Sequence, residues 1–168
     1  GDVMIGEKPM TAYDKEAVME TVGMVFQQAK LFEGLSIYDN VRLADPEANQ
    51  EDVHRALALA RCEEFKEKFP AGYDTVIGAE GVKLSGGECQ RVAIARLFLK
   101  DPKILILDEA SAAADPENEY EIQKAFSNLM KGRTTIMIAH RMSSIRGVDE
   151  ILFIEGGKVI ERGNHDAL

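Results

Sequence analysis

Two carboxylates follow a short apolar run in the second half of the chain. The run covers residues 104–107, and Asp108 and Glu109 come directly after it. An unbroken apolar stretch of this length is typical of a parallel strand that is covered on both faces. Because open α/β sheets bind ligands at the carboxyl ends of their strands, the pair could hold Mg²⁺ and activate a water molecule. The alternative is that Asp108 only caps the segment that follows.

A serine and two glycines begin a predicted helix at residues 84–88, which read Leu-Ser-Gly-Gly-Glu. Glycines let a ligand approach the backbone closely, and the N–H groups and dipole of a helix N-terminus favour an anion. A phosphate group would therefore fit beside Ser85, Gly86 and Gly87. Ser85 and Glu88 also have the spacing of a capping box, so these residues could serve only to begin the helix.

Two further polar side chains follow predicted strands. Gln27 comes after the strand of residues 22–26, and His140 lies just past the strand of residues 134–138. A neutral amide can reach Mg²⁺ or water without adding charge, and a histidine can hydrogen-bond a terminal phosphate and an attacking water. Each residue taken alone is more often an ordinary side chain, so the hypothesis depends on their sharing one edge of a sheet.

Helices alternate with strands along the chain, which predicts the α/β class. The helical pattern is carried by apolar residues at intervals of three and four, and the strands by short apolar runs between turn residues. The predicted strands cover residues 3–5, 22–26, 104–107, 134–138, 151–154 and 158–161. We expect the strand of residues 134–138 to be buried, and Glu155-Gly156-Gly157 predicts a hairpin turn between the last two strands. The predicted helices cover residues 14–20, 37–44 with Ser36 as the N-cap, 50–69, 85–100 and 116–131.

The composition argues against several classes of function. The chain has 20 Lys and Arg against 29 Asp and Glu, and its net charge of −9 disfavours nucleic-acid binding through phosphate neutralisation. It is 45% hydrophobic, which suffices for a buried core, and no apolar run approaches the roughly 18 residues of a membrane helix. Two cysteines without a disulfide pattern favour a reduced cytosolic compartment.

Taken together, these segments closely resemble the nucleotide-binding domain of ATP-binding cassette (ABC) transporters. The resemblance covers essentially all 168 residues, and residues 31–41 and 163–168 favour the exporter type. It implies one role for each of the following: Gln27 as the Q-loop glutamine that reaches Mg²⁺ and water, residues 84–88 as the signature motif, Asp108 as the Walker B acid that holds Mg²⁺, Glu109 as the catalytic base, Asp115 as the D-loop acid and His140 as the switch histidine.

The same resemblance implies cofactors and partners. The cofactors are ATP and Mg²⁺. Two such domains would face each other head to tail, so that Ser85, Gly86, Gly87 and Glu88 of one lie at the nucleotide held by the other. The second partner would be the transmembrane domains of the transporter, which places the chain at the cytoplasmic face of the cell membrane. The transported substrate and the direction of transport are not encoded in these residues.

The resemblance also predicts an α/β, P-loop NTPase-like fold with a mainly parallel sheet and a helical subdomain. Residues from about 33 to 100 would form the helical subdomain with the signature motif, and residues 1–32 and 101–168 would form the RecA-like core. No G-x-x-x-x-G-K-[ST] sequence occurs in the chain, so we expect the Walker A strand, loop and helix to precede Gly1. We therefore expect the isolated chain to be inactive, and residues 104–107 to have an unpaired flank that favours self-association.

Several positions depart from the family pattern. Glu88 stands where glutamine is usual, Ala112 where serine is usual and Ala114 where leucine is usual, and residues 78–81 read Gly-Ala-Glu-Gly instead of Gly-Glu-Arg-Gly.

Two other classes of protein share the main motifs, namely a soluble ABC ATPase of DNA repair or translation and a degenerate regulatory cassette. The compact span before the signature motif and the acidic charge disfavour the first, and the presence of Glu109 and His140 disfavours the second.

Overall fold

The computed structural model of the chain describes residues 1–108, 116–139 and 147–164. It divides into two compact units, Gly1–Met137 and Ile138–Leu168. The strands are β1 (Met4–Ile5), β2 (Lys8–Pro9), β3 (Val22–Val25), β4 (Ile104–Asp108), β5 (Thr134–Ile138), β6 (Ile151–Glu155) and β7 (Lys158–Gly163). The helices are α1 (Lys15–Thr21), α2 (Ile37–Arg42), α3 (Gln50–Leu59), α4 (Phe65–Lys68), α5 (Gly86–Lys100) and α6 (Pro116–Met130), with short 3₁₀ turns at Met10–Ala12 and Gly72–Asp74.

A three-stranded sheet has the order β3-β4-β5. Strands β3 and β4 run parallel, with Val22 opposite Ile104 and Val25 opposite Leu107. The prediction that residues 104–107 have an unpaired flank is therefore wrong, because β4 lies between two strands of the same chain. Long-range pairing decides this order, and β4 therefore has no free edge at which a missing strand would pair.

Strand β5 lies where the sequence predicts it, but it is less buried than expected. Its residues alternate between exposed and half-buried, and Ile136 is 56% exposed. The reason lies in its position, since β5 is an edge strand of the sheet formed by the described residues. An apolar sequence alone does not distinguish such an edge from a central strand.

Helix α5 is the centre of the helical packing and contacts α2, α3 and α6. Its neighbours α2 and α3 begin with side-chain caps: the Ser36 hydroxyl accepts a hydrogen bond from the Asp39 N–H at 2.9 Å, as predicted, and the Asn49 side-chain oxygen accepts one from the Asp52 N–H at 2.9 Å. The larger buried apolar side chains of this core include Ile37, Val53, Leu57, Phe65, Ile94, Leu105, Leu107, Ile122 and Leu129. None of the helices in the described ranges is both long and apolar enough to cross a membrane.

The predicted helix over residues 50–69 is instead two helices. Helix α3 ends at Leu59, and Arg61 adopts a left-handed backbone with φ of 63°. The Cys62 N–H then donates to the Leu57 carbonyl at 2.9 Å, which closes the helix end with a six-residue turn. A non-glycine residue in this conformation gives no sequence warning, so the break before α4 was not predicted.

The second unit contains a β-hairpin formed by β6 and β7. Glu155 pairs with Lys158 across a two-residue turn in which Gly156 and Gly157 both have positive φ, 56° and 75°. Positive φ at both central residues is the geometry that a tight hairpin requires, and glycine adopts it without a steric penalty. The predicted hairpin is confirmed.

Candidate functional site

The glycine-rich segment of residues 84–88 begins α5 with a complete capping box. The Ser85 hydroxyl accepts a hydrogen bond from the Glu88 N–H at 3.3 Å, and a Glu88 carboxylate oxygen accepts one from the Ser85 N–H at 2.8 Å. The capping interpretation of this spacing is confirmed. It leaves a phosphate site possible, because Ser85 and Gly86 are both exposed and the first N–H groups of a helix have no acceptor within it.

Gly87 differs from the exposed residues Ser85 and Gly86 because it is buried against α6. A Cβ atom at this position would lie 2.7 Å from the Cβ of Asn118, which is closer than carbon atoms tolerate. A side chain there would force α5 and α6 apart. In this structure the second glycine of the segment serves close helix packing, and Ser85 and Gly86 are the residues open to a ligand.

The carboxylate of Glu88 forms an ion pair with Lys68 of α4. The Glu88 side chain is 4% exposed, whereas that of Lys68 is 52% exposed. Burial alone would raise the pKa of Glu88, but the hydrogen bond from Lys68 and then that from Ser85 bring this pKa below its ordinary value. Glu88 is therefore ionised at neutral pH within the first turn of α5.

A second ion pair joins α5 to the other end of α4. Arg91 is fully buried, and its guanidinium donates to the Glu64 carboxylate at 2.6 Å and to the Arg61 carbonyl at 2.6 Å. It also donates to the Asn118 side-chain oxygen at 3.0 Å and lies over the Phe65 ring. One arginine thus connects α5 with the α3–α4 turn and with α6.

The acid and amide predicted to bind Mg²⁺ lie at one edge of the sheet. Asp108 is the last residue of β4 and is half-buried, and exposed Gln27 lies two residues beyond the end of β3. Since Val25 is opposite Leu107 in a parallel pair, strands β3 and β4 end at the same level of the sheet. Carboxylate and amide oxygens are ligands that Mg²⁺ accepts, so the residues present fit this ion.

The segment after Gln27 is hydrogen-bonded by Asn40 of α2 and Arg96 of α5, two side chains whose role was not predicted from the sequence. Buried Asn40 accepts a hydrogen bond from the Phe32 N–H at 2.8 Å and donates to the Phe32 carbonyl at 3.0 Å. Arg96 of α5 donates to the Lys30 carbonyl at 3.0 Å and to the Asn40 carbonyl at 2.7 Å. The helix that begins at Ser85 therefore also holds the segment that follows Gln27.

The remaining predicted site residues, Glu109, Asp115 and His140, lie outside the described residues. Their roles as base, D-loop acid and switch histidine stay predictions. The structure brings Gln27 and Asp108 to one sheet edge and gathers residues 85–88 at the start of α5. The pairing of Lys68 was not predicted from the sequence either, because no local pattern connects a lysine of α4 with a glutamate twenty positions later.

A sheet whose carboxyl edge carries an acid and an amide, together with a capped glycine-rich helix start, is an α/β arrangement suited to binding an anionic ligand with a metal ion. Residues 1–112 match the ABC transporter family, and this match adds the P-loop NTPase class. Because this match covers more than half of the chain, the chain belongs to the ABC transporter family, and its resemblance to the ATP-binding domains of exporters is confirmed.

Several relatives match over the whole length of the chain. P-glycoprotein 14 of Caenorhabditis elegans is 46% identical over 168 residues, which make up 13% of that protein. The putative multidrug export ATP-binding/permease protein YgaD of Bacillus subtilis is 44% identical, with 29% of its length covered. The ATP-dependent lipid A-core flippase of Shewanella denitrificans is 46% identical over 169 residues, with 28% covered. The chain thus spans less than a third of each of these relatives.

Proposed function

We propose that the chain is part of the ATP-binding and ATP-hydrolysing domain that powers an exporter-type ABC transporter. The observation that carries this proposal is the start of α5, where a capping box holds Ser85 and Gly86 at the surface of a buried helix. Gln27 and Asp108 at the carboxyl edge of the sheet support it, because ATP is bound with Mg²⁺. The names of the relatives, a P-glycoprotein, an export protein and a flippase, support the exporter type over DNA repair or translation.

Each site residue then has a role in phosphoryl transfer. Gln27 and Asp108 would hold Mg²⁺, which neutralises charge on the phosphates of ATP. Glu109 accepts a proton from the attacking water, and His140 donates a hydrogen bond to the terminal phosphate. Asp115 would act as the D-loop acid.

The proposed partners are a second nucleotide-binding domain and the transmembrane domains of the transporter. The exposed Ser85 and Gly86 suit a head-to-tail pair in which they contact ATP held by the second domain. Phe32, five residues after Gln27, is 60% exposed on the segment that Arg96 and Asn40 bind to α5, and this ring offers the membrane domains an apolar contact. The chain would then work at the cytoplasmic face of the cell membrane.

We expect the purified 168-residue chain to hydrolyse no ATP. Phosphoryl transfer depends chiefly on positioning the phosphates, and the chain carries no Walker A sequence to hold them. Release of inorganic phosphate from ATP measures this directly, with the complete protein as the positive control. Turnover by the 168-residue chain that disappears in a Glu109→Gln variant would contradict this expectation, and a complete protein without ATPase activity would contradict the proposed function itself.

A further inference from the structure

The negative charge of the Glu88 carboxylate lies close to Ser85, beside the site at which the phosphates of ATP would bind. One of its oxygens accepts a hydrogen bond from the Ser85 N–H at 2.8 Å, and the side chain is almost fully buried. The positive end of the α5 dipole stabilises any negative charge at this position. A phosphate beside Ser85 would depend on the same field and would be repelled by the carboxylate at short range.

Lys68 is placed to cancel that repulsion. Its ammonium pairs with one Glu88 oxygen, while the other Glu88 oxygen accepts the Ser85 N–H. The Lys68 ammonium also makes a cation–π contact, since it lies 5.6 Å from the centre of the Phe69 ring. The helix that carries Lys68 is in turn tied to α5 by the pair between Glu64 and Arg91.

We propose that Lys68 is a positioning residue for the signature motif: by neutralising the buried carboxylate of Glu88, it keeps the exposed face of Ser85 and Gly86 able to accept the phosphates of ATP. This inference rests on the proposed function, because it assigns ATP to the start of α5. It also explains how a glutamate can replace the usual glutamine in this motif. The charge added at Glu88 is matched by a charge on a neighbouring helix.

The test is the ATPase kinetics of the complete protein. Lys68→Met keeps the length of the side chain and removes its charge, and we expect it to raise the KM for ATP about tenfold with little change in kcat, since the lost interaction acts on phosphate binding. Lys68→Arg, which keeps the charge, should retain the original KM. Adding Glu88→Gln to Lys68→Met should restore the KM, because no carboxylate then remains to be neutralised.

Lys66→Met is the matched control. Lys66 belongs to the same short helix, but its ammonium lies over the Tyr73 ring, and we expect its loss to leave the KM unchanged. An unchanged KM in Lys68→Met would overturn the inference, as would a raised KM that Glu88→Gln fails to restore, because the lysine would then act only through folding. The ATPase activity of the complete protein separates the two proposals: a complete protein that releases no phosphate from ATP contradicts the proposed function, whereas an active protein in which Lys68→Met leaves the KM unchanged contradicts only this inference.

Discussion

Replacement of Glu109 by glutamine in the complete protein is expected to lower the kcat for ATP hydrolysis by about 10²- to 10⁴-fold, the usual contribution of a positioned base. The amide keeps the shape of the side chain and cannot accept the proton of the attacking water. ATP binding should be retained, because the variant leaves Gln27, Asp108 and residues 84–88 unchanged. The expected state is a closed pair of domains with unhydrolysed ATP between them.

Phosphate release and binding of radiolabelled ATP to the same preparation measure the two parts of this prediction. Glu161→Gln is the matched control, because it makes the same chemical change on an exposed strand of the hairpin. Near-normal turnover in Glu109→Gln would assign that residue a structural role, and the other site assignments would need revision. Loss of ATP binding together with turnover would point to a defect in folding.

The largest effect on stability is expected at Arg91. Arg91→Met removes charge-assisted hydrogen bonds to Glu64, Arg61 and Asn118 from a side chain that is 1% exposed. Because the Glu64 carboxylate is 55% exposed and can be hydrated, the main loss comes from the hydrogen bonds of the buried guanidinium to the half-buried residues Arg61 and Asn118. We expect the free energy of unfolding to fall by about 2–4 kcal/mol.

Urea unfolding of the 168-residue chain, followed by circular dichroism, measures this change. Arg55→Met is the matched control: Arg55 pairs with Asp52 on the surface, and its loss should cost at most about 1 kcal/mol. If Arg91→Met were no more destabilising than Arg55→Met, the hydrogen bonds of this arginine to α4 and α6 would contribute nothing measurable to the free energy of unfolding.

The features that were predicted from the sequence are those that neighbouring residues decide. The capping box at Ser85 and Glu88 needs only a spacing of three, and the hairpin turn needs only two adjacent glycines. The strand of residues 104–107 was recognisable because its residues form an unbroken apolar run. Local preference and the folded structure agree at these places, and the predictions are confirmed.

The features that were missed depend on residues far apart in the chain. The order β3-β4-β5 is set by tertiary pairing, which placed β4 in the centre and left β5 at an edge. The contact of Gly87 with Asn118 and the ion pair of Lys68 with Glu88 join different helices, so the hydrophobic periodicity of the sequence does not indicate them. The end of α3 depends on a left-handed arginine, where the usual glycine is absent.

The central claim is that Ser85 completes the ATP site of a second domain, and ATP occlusion in the complete protein tests it most directly. Glu109→Gln protein incubated with Mg²⁺ and labelled ATP, then passed through a gel-filtration column, should retain the nucleotide. Adding Ser85→Arg should abolish this retention, because the larger cation blocks the exposed start of α5, whereas Ser127→Arg on the exposed surface of α6 should not. Retention of as much ATP by the Ser85→Arg, Glu109→Gln protein as by Glu109→Gln alone would contradict the claim.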